Sequence, residues 1–210
     1  MPLLSTEKGC CLKCLLELPT TRFWLAPQNN EGFLRLAPHL PNLRGAVAGF
    51  WYTVGSPLRR WVQAAKYEGK PQLLAAAARY MATLIETEGR LPLSEIQAIL
   101  PIPISPARQR QRGYNQVEWV ARGMAEIWEI PILADHWVRR SGKASQLTRT
   151  RAARWSELEG EFQCIKPIPS IVAVVDDVLT TGATLVSALK SLPPSVVVWV
   201  FTVGITQRRR

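Results

Sequence analysis

Blocks of apolar residues alternate along the chain with segments of helical periodicity. The apolar runs predict five strands, at residues 46–53, 98–104, 132–139, 171–175 and 195–203. Between them, apolar side chains recur at helical spacing, which predicts helices at residues 57–67, 71–86, 116–128 and 185–190. Strands that alternate with helices through short links favour an α/β fold with a parallel sheet flanked by helices.

Residues 1–45 lack this order. They are rich in Leu and Pro with weak periodicity, and we predict a small N-terminal appendage there, followed by one α/β domain over residues 46–210. No run approaches the roughly 20 apolar residues of a membrane span, and the start of the chain lacks the pattern of a secretory signal. Four cysteines without paired spacing argue against a disulfide framework. We therefore expect a cytoplasmic protein that does not enter the membrane.

The segment 171–184 carries the clearest chemistry. Five apolar residues lead directly into Asp176 and Asp177, and a loop rich in Thr and Gly then enters a helix. Hydroxyl groups beside a helix start, with a glycine that lets the backbone approach a ligand, suit a phosphate. Paired carboxylates suit sugar hydroxyls or a divalent cation carried by the ligand. This pattern indicates a site for a phosphorylated sugar.

Other interpretations of the segment are weaker. A single Asp after a strand is commonly a helix cap or a turn residue, but two adjacent ones place at least one in the crevice at the end of the strand. No Lys follows the glycine, which excludes a Walker A loop. An EF-hand is excluded because the acids do not alternate through a twelve-residue loop.

Residues 174–184 resemble the motif of type I phosphoribosyltransferases that binds phosphoribosyl pyrophosphate (PRPP). The resemblance implies that Asp176 and Asp177 hold the ribose hydroxyls and that Mg²⁺ arrives bound to the substrate. It also implies a loop around the 5′-phosphate formed by Thr180, Thr181, Gly182, Ala183 and Thr184.

Further motifs resemble the ComF family of competence-related, phosphoribosyltransferase-like proteins, from about Phe50 to the end of the chain. They are Lys66-Tyr67-x-Gly69, residues 101–108, residues 112–116 and the spacing of Gln146, Arg149 and Arg151. The resemblance implies a type I phosphoribosyltransferase-like sheet. The predicted loop at residues 105–114 would then take pyrophosphate through Ser105, Arg108, Arg112 and Gly113. Residues 141–154, with Gln146, Arg149 and Arg151, would match the flexible loop that closes over the reacting centre.

ComF-family proteins usually carry an N-terminal zinc ribbon with two CxxC pairs. This chain keeps one pair, Cys11 and Cys14, next to Cys10, and the remaining Cys164 is far away. A tetrahedral zinc site needs four ligands, and the nearby candidate for a fourth is a lone His39. We interpret the appendage as a degenerate zinc ribbon and do not expect it to bind zinc.

The chain is strongly basic, with a net charge of +10. Residues 101–154 hold ten basic and four acidic side chains, a difference of +6. Such a region suits a polyphosphate substrate, a nucleic acid or a solvated surface that favours solubility. Charge alone leaves these three alternatives open.

Two functions remain in competition. The first is an enzyme that transfers the phosphoribosyl group of PRPP to an unknown acceptor and releases pyrophosphate. The second is a non-catalytic competence-type protein that binds single-stranded DNA or DNA-uptake partners on the same fold. Among the eight tryptophans, Trp119 and Trp155 are the candidates for exposed stacking platforms, whereas helical or strand periodicity places Trp61, Trp128 and Trp199 in the core.

Overall fold

A parallel four-stranded sheet forms the centre of the protein. The computed structural model describes residues 10–89, 91–140 and 160–207. The sheet has the order β1-β6-β5-β2, with every neighbouring pair parallel. Its strands are β1 (Leu43–Trp51), β2 (Ala98–Pro101), β5 (Ile171–Leu179) and β6 (Val197–Ile205), while β3 (Trp137–Arg139) and β4 (Phe162–Cys164) form a separate antiparallel pair.

Helices cover both faces of the sheet, which confirms the predicted α/β fold. The described residues form α1 (Leu12–Leu16), α2 (Glu31–Leu36), α3 (Pro57–Tyr67), α4 (Gln72–Glu88), α5 (Pro106–Arg112), α6 (Gln116–Trp128) and α7 (Ala183–Leu189). One apolar cluster joins α3, α4 and α6 to the strand residues Ala173 and Val175. A second cluster joins α2 and α7 to Val172 and Val174. Successive residues of β5 therefore enter opposite layers, as in a sheet covered on both faces.

Two of the predicted strands are shorter in the structure than the sequence pattern indicated. The run 98–104 stops pairing at Pro101, and prolines at 101 and 103 lack the N–H groups that a longer strand requires. The run 132–139 is a strand only in its last three residues, and these pair with β4 instead of joining the main sheet. Ile132 keeps a single parallel bridge to Ile99, and the chain then turns away at residues 134–136.

The predicted loop at residues 105–114 contains helix α5. Ser105 caps this helix by accepting a hydrogen bond from the Arg108 N–H, and Pro106 occupies its first turn. Gly113 ends it with a φ of +78°, a left-handed conformation that glycine adopts without strain. None of its residues is buried, so the apolar periodicity that predicts other helices is absent here.

The N-terminal segment packs closely on the sheet. Leu36 and Leu40 are buried in the same cluster as Val198 and Val200 of β6, and β1 begins at Leu43. The division into two domains near residue 45 stays a prediction. Within the described residues, no helix is both long and apolar enough to cross a membrane.

Candidate functional site

A cleft of about 280 Å³ opens beyond the carboxyl ends of β2 and β5. Ligands of parallel α/β sheets bind at this edge. Two predicted loops meet there, because both follow strands that lie side by side in the sheet. The residues that line the cleft are Tyr52, Lys66, Tyr67, Ile102, Pro103, Ile104, Arg108, Arg112, Gln116, Val117, Arg139, Asp176, Asp177, Val178, Thr180 and Thr184.

Asp177 is the most firmly held acid of the cleft. It is buried, with 5% of its surface exposed, and its Oδ2 lies 2.8 Å from Lys66 Nζ. The same oxygen accepts a hydrogen bond of 2.9 Å from Gln116 Nε2. A buried carboxylate needs such partners because desolvation penalises its charge. Two helices, α3 and α6, therefore fix the position of this carboxylate.

Asp176 lies in a different environment. It is half-buried, and its Oδ1 accepts a hydrogen bond of 2.8 Å from the Asp177 N–H. Burial, together with the negative charge of Asp177, raises the pKa of Asp176 to about 7. The hydrogen bond from the Asp177 N–H and the positive charges of Lys66 and Arg139 act in the opposite direction and lower this pKa. The pKa of Asp176 therefore lies near neutral pH. Both acids lie within β5, which runs on to Leu179, so the strand predicted to end at residue 175 is longer than expected.

The Thr/Gly loop wraps the end of β5 and starts α7. Thr180 and Thr184 line the cleft, whereas Thr181 accepts a hydrogen bond of 3.3 Å from the Ala183 N–H. Gly182 has a φ of +87° and is packed so closely that a Cβ atom would come within 2.9 Å of Leu36. The glycine is therefore required both by the turn and by the packing of α2 against the loop.

Arg35 of α2 supports this loop from beneath. Its side chain is 3% exposed, and Nη1 donates hydrogen bonds to the carbonyl oxygens of Thr180 and Leu179. Nη2 donates to the Thr206 carbonyl oxygen at 2.9 Å and to Glu31 Oε1 at 2.6 Å. The guanidinium thus ties the Thr/Gly loop to the end of β6, because its fork of N–H groups reaches several carbonyls at once.

Helix α5 contributes two arginines to the lining of the cleft. Arg108 and Arg112 are four residues apart, hence on one helical face, and both line the cleft. Arg110, which also lies on α5, is not among the described residues that line it. Ser105 is the N-cap and Gly113 the C-cap of α5. The cleft is thus lined by both carboxylates and guanidinium groups.

Sequence reasoning assigned no role to three charged or polar residues of the cleft. Lys66 and Gln116 belong to the motifs named in the sequence analysis. Their contacts with Asp177 depend on how α3 and α6 pack against β5, which the motifs do not show. Arg139 ends β3, where it pairs with Glu161 at 2.7 Å and lies 5.1 Å from the ring of Phe162. The β3–β4 pair therefore brings a third guanidinium to the cleft.

Several residues named in the sequence analysis fall outside the part of the chain that the structure describes. The proposed closing segment 141–154, with Gln146, Arg149 and Arg151, lies outside the described residues. Trp155 and residues 208–210 also lie outside them. Of the core tryptophans, Trp61, Trp128 and Trp199 are buried as predicted. Trp119 is half-buried, with the Arg122 guanidinium 5.0 Å from its ring.

The donor atoms of the cleft suit a cation that arrives with its ligand. Carboxylate oxygens are the protein ligands that Mg²⁺ prefers, and it usually keeps water and substrate phosphates as its other ligands. Asp176 and Asp177 provide such oxygens in the cleft. Among the described residues, no group of three or more His, Cys, Asp or Glu side chains is placed to hold a metal ion alone. Asp176 and Asp177 could therefore contribute oxygen ligands to a divalent cation.

Comparisons with known proteins identify two relatives. Competence protein F of Haemophilus influenzae is 28% identical over 134 residues, which is 61% of this chain and 58% of that protein. Competence protein ComFC of Streptococcus pneumoniae is 34% identical over 84 residues, which is 40% of this chain and 36% of that protein. The chain thus spans less than two thirds of either relative, and no family model matches it. The chain is thus similar, in its motifs and over part of its length, to these two competence proteins.

Proposed function

We propose that the cleft binds PRPP with Mg²⁺ and that the protein transfers the phosphoribosyl group to an acceptor with release of pyrophosphate. The observation that carries this proposal is the meeting of three features in one cleft. Asp176 and Asp177 face the cleft beside Thr180 and Thr184, and arginines of α5 line the same space. A sugar that carries phosphate at both ends needs this combination of acceptors and cations.

The charges of the cleft match those that develop during the transfer. Breaking the bond between the ribose C1′ and pyrophosphate leaves positive charge on the sugar ring and negative charge on the leaving group. Asp176 and Asp177 would stabilise the former, while Arg108, Arg112 and Arg139 would stabilise the latter. Mg²⁺, when bound, would neutralise further charge on the pyrophosphate.

Lys66 gives the cleft a means of responding to the substrate. Its Nζ lies 2.8 Å from Asp177 and its side chain is 23% exposed. Ribose hydroxyls that donate to Asp177 would compete for this carboxylate, and Lys66 would then turn to the phosphate groups. A flexible lysine suits this exchange because its ammonium is a point charge on a long stem.

The relatives suggest the biological setting. Both are named competence proteins, and we infer a competence-associated role for this chain. A second candidate function, binding of single-stranded DNA, is favoured by the exposed arginines of α5 and by the Trp119–Arg122 pair on the surface of α6.

Calorimetric titration with PRPP tests the main proposal. The wild-type protein should bind PRPP only weakly without Mg²⁺ and more tightly with it, whereas the double variant Asp176→Asn, Asp177→Asn should lose the dependence on Mg²⁺. Asp135→Asn is a matched control, since Asp135 pairs with Lys166 outside the cleft. Unchanged affinity in the double variant would refute the sugar site. A pyrophosphate-release assay, with and without single-stranded DNA, then separates catalysis from binding.

A further inference from the structure

A second groove, of about 620 Å³, is lined by residues 54–56 and by parts of α3 and of the segment 68–73. We call it the α3 groove. None of the described residues that line it also lines the cleft at the end of β5. Its volume lies within the roughly 300–1,000 Å³ of ligand pockets. The groove is therefore a separate feature with room for side chains of a bound molecule.

The loop before α3 exposes an apolar residue in a fixed position. Val54 is 85% exposed. The Ser56 N–H and hydroxyl donate to the Thr53 carbonyl oxygen at 3.2 and 2.9 Å, and Ser56 Oγ accepts from the Arg59 N–H at 3.2 Å. These bonds tie the loop to the first turn of α3. A partner that covers Val54 gains the free energy of burying it and does not first have to order the loop.

The charges of the α3 groove are unbalanced. Its described lining holds three cations and one acid, a difference of +2. The acid, Glu68, pairs with Lys70 at 3.0 Å. Arg60 Nη1 donates to the Gly55 carbonyl oxygen at 3.5 Å, and no carboxylate of the described residues pairs with Arg59 or Arg60. Two guanidinium groups are thus available to carboxylates of a partner.

The apolar part of the lining favours a peptide over a nucleic acid. Nucleic-acid grooves offer exposed aromatic rings on which bases stack, but Trp61, the aromatic residue of this lining, is only 9% exposed. Glu68 would also repel phosphate groups. Apolar residues beside arginines are instead typical of the centre of protein–protein interfaces.

We propose that the α3 groove docks a partner protein through a short acidic segment that carries a large apolar side chain. Carboxylates of this segment bind Arg59 and Arg60, and its apolar side chain contacts Val54 and the neighbouring apolar lining. This inference does not depend on PRPP binding, because the cleft and the groove have different linings.

Selection of random peptides displayed on phage tests the proposal on the full chain, with the groove variant Arg59→Glu, Arg60→Glu as the counter-target. Enriched peptides should carry Asp or Glu beside Leu, Ile, Phe or Trp. In fluorescence anisotropy, a labelled synthetic copy should bind the groove variant more than about tenfold more weakly than the wild type, because like charges repel. Val54→Ser should lose about tenfold in affinity, the order expected for one buried Val side chain.

A second charge-reversal variant, Arg44→Glu with Lys190→Glu, is the matched control. Both residues are exposed outside the groove, so this variant has the same net charge as the groove variant and should bind the peptide like the wild type. The groove variant should fold, since a Glu three residues after Ser56 favours a helix start, and its PRPP affinity should equal that of the wild type.

The remaining outcomes contradict the proposal. No enrichment of acidic peptides, or equal peptide affinity in the groove and control variants, would overturn it. Failed enrichment, together with a labelled oligothymidine that binds the wild type but not the groove variant, would assign the α3 groove to nucleic acid instead.

Discussion

The side-chain amide of Gln116 donates a hydrogen bond of 2.9 Å to the buried carboxylate of Asp177. The carbonyl end of the same amide accepts from Arg112 Nη1 at 2.7 Å. This orientation of the amide is the only one that satisfies both partners, because a guanidinium only donates and a carboxylate only accepts. One residue at the start of α6 thus links the acid of β5 to the cation of α5.

Replacing Gln116 with Ala should therefore disturb the positions of both Asp177 and Arg112. A buried carboxylate would lose one of its two donors, which costs on the order of 1–3 kcal/mol of unfolding free energy. PRPP affinity should fall as well, and the effect should not add to that of Arg112→Ala, since the two residues share a hydrogen bond. A double-variant cycle measured by urea unfolding and PRPP calorimetry checks this. Strict additivity of the two changes would contradict the link.

The pKa of Asp176 predicts two opposite responses to pH. The folded protein holds a proton up to about pH 7 that the unfolded chain releases near 3.8, so this group's contribution to stability is full below pH 3.8 and is lost as the pH rises towards 7. PRPP–Mg²⁺ binding needs the ionised carboxylate and should strengthen as the pH rises through about 7.

Asp176→Asn separates these responses from the ionisation of PRPP itself. Urea unfolding should show a flatter dependence on pH in this variant than in the wild type. The difference in PRPP affinity between the two proteins should grow as the pH rises from acidic to alkaline conditions. A constant difference across that range would show that Asp176 does not titrate there.

Arg35 should control the Thr/Gly loop although it lies outside the cleft lining. Arg35→Ala would leave the carbonyl oxygens of Thr180 and Thr206 without their buried donor, which should lower the free energy of unfolding by on the order of 1–3 kcal/mol. The variant should also bind PRPP more weakly, because the Thr/Gly loop would shift. Arg35→Lys should recover little of the lost stability or PRPP affinity, because one ammonium group cannot reach all of the same carbonyl oxygens. Leu34→Ala is the matched control, since Leu34 is 61% exposed on the same helix. Equal urea midpoints in Arg35→Ala and Leu34→Ala would disprove the role.

Local patterns predicted much of this architecture. Apolar runs and helical spacing are properties of neighbouring residues, so they located the parallel strands and helices α3, α4 and α6 within a few residues. Asp176 and Arg108 follow neighbouring parallel strands, which end at one edge of the sheet, and both residues line the same cleft.

Features that depend on distant packing were not predicted. Arg35 donates a hydrogen bond to the carbonyl oxygen of Thr180, which lies 145 residues away in the sequence. No pattern among neighbouring residues predicts such a contact. Helix α5 has no apolar stripe, so only its capping residues Ser105 and Gly113 could have revealed it. Residues 137–139 have the pattern of a strand, but this pattern does not specify the partner strand, which in the structure is β4.

Metal analysis of the purified protein should find well under one zinc per chain. The Sγ atoms of Cys11 and Cys14 lie 3.2 Å apart, with Cys10 nearby in sequence. A second CxxC pair is absent from the sequence, so half of a closed four-ligand site is missing. A stoichiometric zinc that disappears in the double variant Cys11→Ser, Cys14→Ser would contradict this prediction.

Binding of single-stranded DNA, tested by fluorescence anisotropy of a labelled oligonucleotide, should depend strongly on salt and little on base sequence. Each phosphate contact on a single strand contributes a log-affinity slope of roughly −0.7. Arg108→Gln with Arg112→Gln should therefore reduce the slope by about 1.4 if both arginines contact phosphates, whereas Arg44→Gln, exposed on β1, should not. PRPP with Mg²⁺ should displace the oligonucleotide, since both arginines line the PRPP cleft. Binding that ignores both salt and PRPP would exclude a shared cleft, and no binding at low salt would leave the small-molecule enzyme as the surviving function.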